Sequence, residues 1–162
     1  RSDNTYAESM FFQIAMLSKR RYADLTDTQQ RINALVARLG LDPGNYNFSD
    51  GSGLSIYDIA TAELMAKCLI YAYRSPEIYR YLLPSLPIAG VDGTLHSRMK
   101  NTPAYNNVRA KTGTVTGVST LSGYCTAANG HYLVFSILNN GLRNSQVGRE
   151  FQNRVCVALT TE

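Results

Sequence analysis

Val108-Arg109-Ala110-Lys111-Thr112-Gly113-Thr114-Val115 marks the point where the sequence changes period. Upstream, apolar residues recur at helical spacing; from Val108 onward they follow strand patterns. The octapeptide is the first of three such runs, followed by Ser119 to Ala127 and His131 to Leu138. Asn129-Gly130 between the last two is a strong two-residue hairpin signal. The run Tyr132-Leu133-Val134-Phe135-Ser136-Ile137-Leu138 is apolar on both faces and predicts a central strand covered on both sides. Asn139-Asn140-Gly141 ends it, and a closing helix is predicted from about Asn144 to Leu159, with Val147, Phe151, Val155 and Leu159 on one stripe.

Working back toward the N-terminus, the pattern is helical. Met10, Phe11, Ile14 and Leu17 share one face of a first helix, with Asp3 or Asn4 as its N-cap. Thr26-x-x-Gln29 reads as a capping box for a second helix that buries Ile32, Leu35, Val36 and Leu39, and Gly40 sits where a C-terminal cap belongs. Asp42-Pro43-Gly44-Asn45 and Asp50-Gly51-Ser52-Gly53 are turn chemistry. A third helix starts near Thr61 and buries Leu64, Met65, Cys68, Leu69 and Ala72; Ser75-Pro76 starts a fourth, with Ile78 and Leu82 facing inward. The fold class is therefore α+β: a mainly helical part over residues 1–107, then a three-stranded antiparallel meander and a closing helix over residues 108–162, read as one domain.

Composition narrows the function classes. The apolar fraction of 44% is ordinary for a globular chain of 162 residues, and no run approaches the roughly 18 apolar residues of a membrane span. The net charge of +4 is scattered. Its densest group, Lys19-Arg20-Arg21, falls where a helix should end and is read as a cationic helix terminus, not a nucleic-acid patch. No nucleic-acid-binding motif is present. Cys68, Cys125 and Cys156 lie in apolar patterns without metal spacing and are read as structural. His96 and His131 have no acidic or His neighbour at ligand spacing, so no metal site is implied.

The chemistry concentrates in Lys111-Thr112-Gly113-Thr114. On a strand, Lys111 and Gly113 share a face, and glycine removes a side chain where a ligand's backbone must approach. Lys111 then presents a cation suited to a substrate carboxylate, while Thr112 and Thr114 offer hydroxyl and backbone groups to that carboxylate and to an acyl oxyanion.

With Ser2-Asp3-Asn4 ahead of it, Lys111-Thr112-Gly113 makes up the second and third signature tripeptides of penicillin-interacting serine enzymes, in order. Two further passages, Asp50 to Ser55 and Leu86 to Leu95, extend the likeness across most of the chain. Together these passages resemble the C-terminal part of the low-molecular-mass class C penicillin-binding proteins, the D-alanyl-D-alanine carboxypeptidase/endopeptidase family.

The resemblance implies a transpeptidase-like fold in which the Lys-Thr-Gly strand lines the active site at a sheet edge. It implies an exported, periplasmic or otherwise extracytoplasmic enzyme that cleaves D-Ala-D-Ala ends or cross-links of peptidoglycan stem peptides through an acyl-serine, with no metal or organic cofactor. In that scheme Ser2 relays a proton, Asn4 holds the base lysine and the substrate amide, Lys111 completes the catalytic set, and Thr112, Gly113 and Thr114 bind substrate. The first signature, S-x-x-K, carries the nucleophile and is expected upstream of Ser2, so the chain is expected to be inactive alone and β-lactams to acylate only the full-length protein. Ser97-Arg98-Met99-Lys100 spells S-x-x-K but follows Ser-Asp-Asn and lies in a polar stretch; it is read as a coincidence. A class A β-lactamase would need a Glu loop with a nearby Asn, which Glu8, Glu63 and Glu77 do not provide. A non-catalytic relative that binds peptidoglycan or a partner stays open as the alternative. The third strand is expected to pair with a strand outside this chain, leaving an edge through which the chain alone self-associates.

Overall fold

A computed structural model describes residues 4–17 and 24–161. Ser2, Asp3 and the Lys19-Arg20-Arg21 group lie outside the described residues. The chain divides into two compact units, residues 2–64 and residues 65–162.

In the first unit, α1 (Asn4–Met16) packs on α2 (Leu25–Arg38). Asn4 is the first residue of the helix and not its cap. Phe11 and Ala15 are buried and Ile14 is half-buried, whereas Met10 and Leu17 stay exposed. The α2 capping box sits two residues earlier than the sequence signature suggested. Asp24 is the N-cap, its Oδ1 accepts the Asp27 N–H at 3.2 Å, and Asp27 Oδ2 accepts the Asp24 N–H at 3.2 Å. Asp serves this reciprocal role as well as Thr and Gln do. Gln29, freed from it, donates to Phe48 O instead. At the other end Gly40 takes φ +74°, and Gly40 N–H and Leu41 N–H bond back to Ala37 O and Val36 O. That is a Schellman stop, which only glycine enters without Cβ strain.

In the second unit, α4 (Pro76–Ser85) follows α3 (Ala62–Tyr73), whose first turn belongs to the other unit. Ser75 is the N-cap of α4 and Pro76 opens it, as read from the sequence, but Ile78 is exposed. The sheet consists of β1 (Arg109–Val115), β2 (Val118–Thr126) and β3 (Tyr132–Asn139), antiparallel in the order β1-β2-β3. Among the described residues β2 lies between β1 and β3. The reading of β3 as central came from its apolar run; among the described residues the run has a neighbour on one side only, and most of it is half-buried.

The hairpin between β2 and β3 has three loop residues, not two. Gly130 N–H bonds to Ala127 O, Ala127 N–H bonds to His131 O, and Gly130 alone takes positive φ, at +85°. A type I′ turn would need positive φ at Asn129 as well.

α5 (Ser145–Thr161) covers one face of the sheet. Its buried stripe is Gly148, Gln152, Cys156 and Thr160, one residue on from the predicted apolar stripe; Val147 and Phe151 are exposed. Close approach explains the shift. A Cβ at Gly148 would stand 2.6 Å from Leu142 Cδ1 and 3.0 Å from Ser119 Cβ. Gln152 replaces lost apolar contact with hydrogen bonds to Ser119 Oγ and Asn139 Oδ1, each at 3.1 Å. Around it Ala110, Leu121, Cys125, Phe135 and Cys156 form the core of the unit.

Candidate active site

β1 carries Lys111, Thr112, Gly113 and Thr114, paired in register with Ser122, Leu121, Thr120 and Ser119 of β2. Strand alternation divides them between two faces. Ala110, Thr112 and Thr114 share the face that packs on α5, since Ala110 and Leu121 belong to the core there. Lys111 and Gly113 share the opposite face, where Ser122 Oγ and Ser136 Oγ hydrogen-bond at 2.8 Å and Tyr124 Oη donates to Leu69 O of α3 at 2.8 Å.

The outer edge of β1 is closed at its start and open beyond. Pro87 to Ala89 runs beside it: Ala110 N–H donates to Pro87 O at 3.0 Å, and Ala89 N–H donates to Val108 O at 2.9 Å. Because the Ala110 N–H points outward, the two-residue alternation of the ladder turns the Thr112 and Thr114 amides to the same edge. Among the described residues no backbone group pairs with them there.

Three further groups frame this edge. Lys111 is half-buried and its Nζ donates to Thr112 O at 2.7 Å; burial pushes its pKa below the ordinary lysine value. Thr112 Oγ1 donates to Thr94 Oγ1 at 2.9 Å, which places the Leu86 to Leu95 passage against the site through its short 3-10 turn Gly93–Leu95. Gly113 has a structural reason as well as the ligand-clearance reason read from the sequence, because a Cβ there would lie 2.5 Å from Thr120 Oγ1.

On the α5 face, Thr112 and Thr114 line a cavity of about 350 Å³ together with Arg98, Arg149, Gln146 and Asn153. The arginines escaped sequence reasoning. Arg98 lies inside Ser97-Arg98-Met99-Lys100, which attracted attention only as a possible S-x-x-K. That tetrapeptide is a turn with Met99 buried at φ +59°, so Ser97 and Lys100 are not one helical turn apart.

In the other unit Asn4 is exposed on the first turn of α1. One turn later, Glu8 Oε2 accepts the N–H groups of Gly51 and Ser52 at 2.5 and 2.9 Å. Asp50 accepts from Gly53 N–H at 2.7 Å and Ser55 N–H at 3.0 Å, and Asp58 accepts from Ser49 N–H at 2.7 Å. The Asp50 to Ser55 motif thus has a physical role that its sequence did not disclose: it is a loop locked onto the helix that carries Asn4. Ser2 lies outside the described residues. The cysteines are structural: Cys125 and Cys156 are buried, and burial raises all three thiols, Cys156 to about 12.

Residues 1–162 match the model of the D-Ala-D-Ala carboxypeptidase 3 (S13) family. The chain is 34% identical over 143 residues to the D-alanyl-D-alanine carboxypeptidase DacB of Haemophilus influenzae, covering 87% of this chain and 30% of that protein. It is 42% identical over 115 residues to the D-alanyl-D-alanine carboxypeptidase of Actinomadura sp. strain R39, covering 68% and 21% respectively. The crystal structure of penicillin binding protein 4 (dacB) from Haemophilus influenzae, complexed with a novel beta-lactam, superposes with a TM-score of 0.82 at 30% identity, over 96% of this chain and 39% of that one. The chain therefore spans less than half the length of these relatives, and the transpeptidase-like α+β class read from its sequence is the class observed.

Proposed function

Because the chain belongs to the D-Ala-D-Ala carboxypeptidase 3 (S13) family, we propose that it supplies residues to the active site of a serine DD-peptidase. The substrate is a peptidoglycan stem peptide, cut at a D-Ala-D-Ala end or at a cross-link, outside the cytoplasm. The observation that carries this reading is the open edge of β1, where outward amides of Thr112 and Thr114 lie beside the Lys111 cation. An extended peptide pairs with such an edge by main-chain hydrogen bonds.

The nucleophilic serine and its base lysine come from an S-x-x-K helix outside residues 1–162. The serine Oγ attacks the scissile carbonyl carbon and its proton passes to the base lysine, which Asn4 holds in place. The Thr114 N–H, fixed by the strand, stabilises the oxyanion as charge develops. Collapse of the intermediate expels the terminal D-Ala amine, which takes the proton relayed by Ser2, and leaves an acyl-serine that water hydrolyses. A β-lactam is opened by the same attack and stays on the serine.

The test is labelling with a fluorescent penicillin. The full-length protein is expected to give a covalent band and residues 1–162 alone none. A band on the 162-residue chain, or none on the full-length protein, would overturn the reading. In the isolated chain, the outer edge of β3 takes a second copy of the chain by strand pairing.

A further inference from the structure

The sequence holds two Asn-Gly pairs, Asn129-Gly130 and Asn140-Gly141. Such a pair is prone to cyclise on itself, because glycine leaves its own backbone nitrogen uncrowded and free to turn. Space does not separate the two pairs. All four residues are exposed, both glycines take positive φ, at +85° and +72°, and a Cβ at either would meet nothing within 4 Å. Hydrogen bonding does separate them. At Asn129-Gly130 both reacting groups are engaged elsewhere: the Gly130 N–H donates to Ala127 O at 2.9 Å, and Asn129 Oδ1 accepts the His131 N–H at 3.0 Å. At Asn140-Gly141 they face each other. The Gly141 N–H donates to Asn140 Oδ1 at 2.7 Å and has no backbone acceptor among the described residues.

The surrounding contacts hold that arrangement. Asn139 Oδ1 accepts from Gln152 Nε2 of α5 at 3.1 Å, and the Leu142 N–H donates to Gly117 O, in the turn between β1 and β2, at 2.9 Å. Asn140 and Gly141 are therefore fixed at both flanks, with the nitrogen beside the side-chain amide that it can attack. Rotation about the Asn140 Cβ–Cγ bond swings Oδ1 aside and leaves Cγ and the nitrogen where they are. Pre-set proximity of this kind accelerates an intramolecular ring closure. At Asn129 two hydrogen bonds must open before the same groups can meet.

We propose that Asn140 is a self-modification site: it closes to a succinimide and opens to aspartyl and isoaspartyl residues, while the hairpin protects Asn129. The Gly141 nitrogen, after losing its proton to solvent, forms a bond to Asn140 Cγ. The Cγ–Nδ2 bond breaks, and Nδ2 leaves as ammonia with a proton returned from solvent. Water then adds to either ring carbonyl. Addition at Cγ breaks the new bond and gives aspartate. Addition at the main-chain carbonyl gives isoaspartate, which routes the backbone through Cβ and adds one carbon to it. Water is the only co-reactant, and nothing is oxidised or reduced. The product places a new carboxylate, and in the isoaspartyl form a longer backbone, in the loop that joins β3 to α5 and braces the β1–β2 turn.

The experiment ages the full-length protein in mildly alkaline buffer, folded and in urea, and follows both asparagines by peptide mass spectrometry. Deamidation is read as the mass gain of an amide-to-acid exchange, located by fragmentation. Isoaspartate is read by methyl transfer from S-adenosylmethionine with an isoaspartyl methyltransferase. In the folded protein Asn140 is expected to convert roughly 10-fold or more faster than Asn129, the effect of one or two hydrogen bonds that must open first. In urea the two rates are expected to converge to within about threefold, since both pairs then lie in an unfolded chain. Asn140→Gln, whose closure needs a larger ring, is expected to remove most of the isoaspartate formed by the folded protein. Equal rates in the folded protein, faster loss at Asn129, or an Asn140 that converts in urea but not when folded would overturn the proposal. None of these readouts uses catalysis, so they decide the site whether or not the peptidase reading holds.

Discussion

Glu8 Oε2 accepts the Gly51 N–H at 2.5 Å, and a Cβ built on Gly51 would stand 2.4 Å from Phe11 Cβ and 2.7 Å from Ala7 O. The carboxylate and the missing side chain together let the 50–55 loop lie directly against α1. Gly51→Ala must push helix backbone aside, and overpacking of this kind costs about 1–3 kcal/mol. Glu8→Ala strands two amides that had a charged acceptor, at a comparable cost. Both variants are expected to lower the urea midpoint of the full-length protein. In the proposed mechanism they also reduce penicillin acylation, because the loop sets the position of Asn4. Unchanged midpoints would mean the contact carries no weight.

Lys111 gives a pH test. Its pKa lies below the ordinary 10.5, so the folded protein releases that proton before the unfolded chain does. Between the two values the unfolded state binds more protons, and this residue's contribution to stability rises with pH. Function moves the opposite way, since the cation is lost. Acylation by penicillin is expected to fall on an alkaline limb centred below 10.5, and Lys111→Arg is expected to move that limb upward. A limb that stays in place in Lys111→Arg belongs to another group.

Gly113 meets a packing constraint and, in the proposed mechanism, a ligand-clearance one, and mutation can separate them. Gly113→Ala brings a methyl to 2.5 Å from Thr120 Oγ1, and Thr120→Ala removes that clash. The double variant is expected to recover most of the Tm lost by Gly113→Ala. Acylation is expected to stay depressed, because ligand clearance is not restored. Recovery of both properties would assign Gly113 to packing alone.

Self-association of the isolated chain follows from β3, which pairs with β2 along one side only among the described residues. Light scattering is expected to show dimers or larger species that grow with concentration, and Val134→Lys or Ser136→Pro is expected to reduce them. A clean monomer at high concentration would count against pairing at this edge.

Much of the fold was legible because local signals were strong. The three strand runs, the Ser75-Pro76 helix start and the Gly40 stop all appear within a residue or two of where their chemistry placed them. The closing helix was misread for one reason: periodicity identifies an apolar stripe but not which stripe the neighbours cover. α5 buries Gly148 and Gln152 because they permit close approach and hydrogen bonding, so Val147 and Phe151 turn outward. At the site, Lys111 to Thr114 announced itself by motif. Arg98 and Arg149 are 51 positions apart, and neither has a local pattern that marks it. Only the packing of α5 on the sheet brings them to one cavity.

The Thr114 N–H faces the open edge of β1 and is the proposed oxyanion donor; Thr114→Pro deletes that donor together with the side-chain hydroxyl, and Thr114→Val, which loses only the hydroxyl, is its control. Proline is tolerated at a strand edge whose N–H points outward. The measurement is the second-order rate of penicillin acylation of the full-length Thr114→Pro variant, read beside its Tm. The expected result is a rate lower by about 10²–10³-fold, the usual cost of one oxyanion donor, with the Tm within a few degrees of wild type. An unchanged rate, or a loss of folding that shows the N–H to be part of the ladder, would contradict the assignment of this edge as the active-site wall.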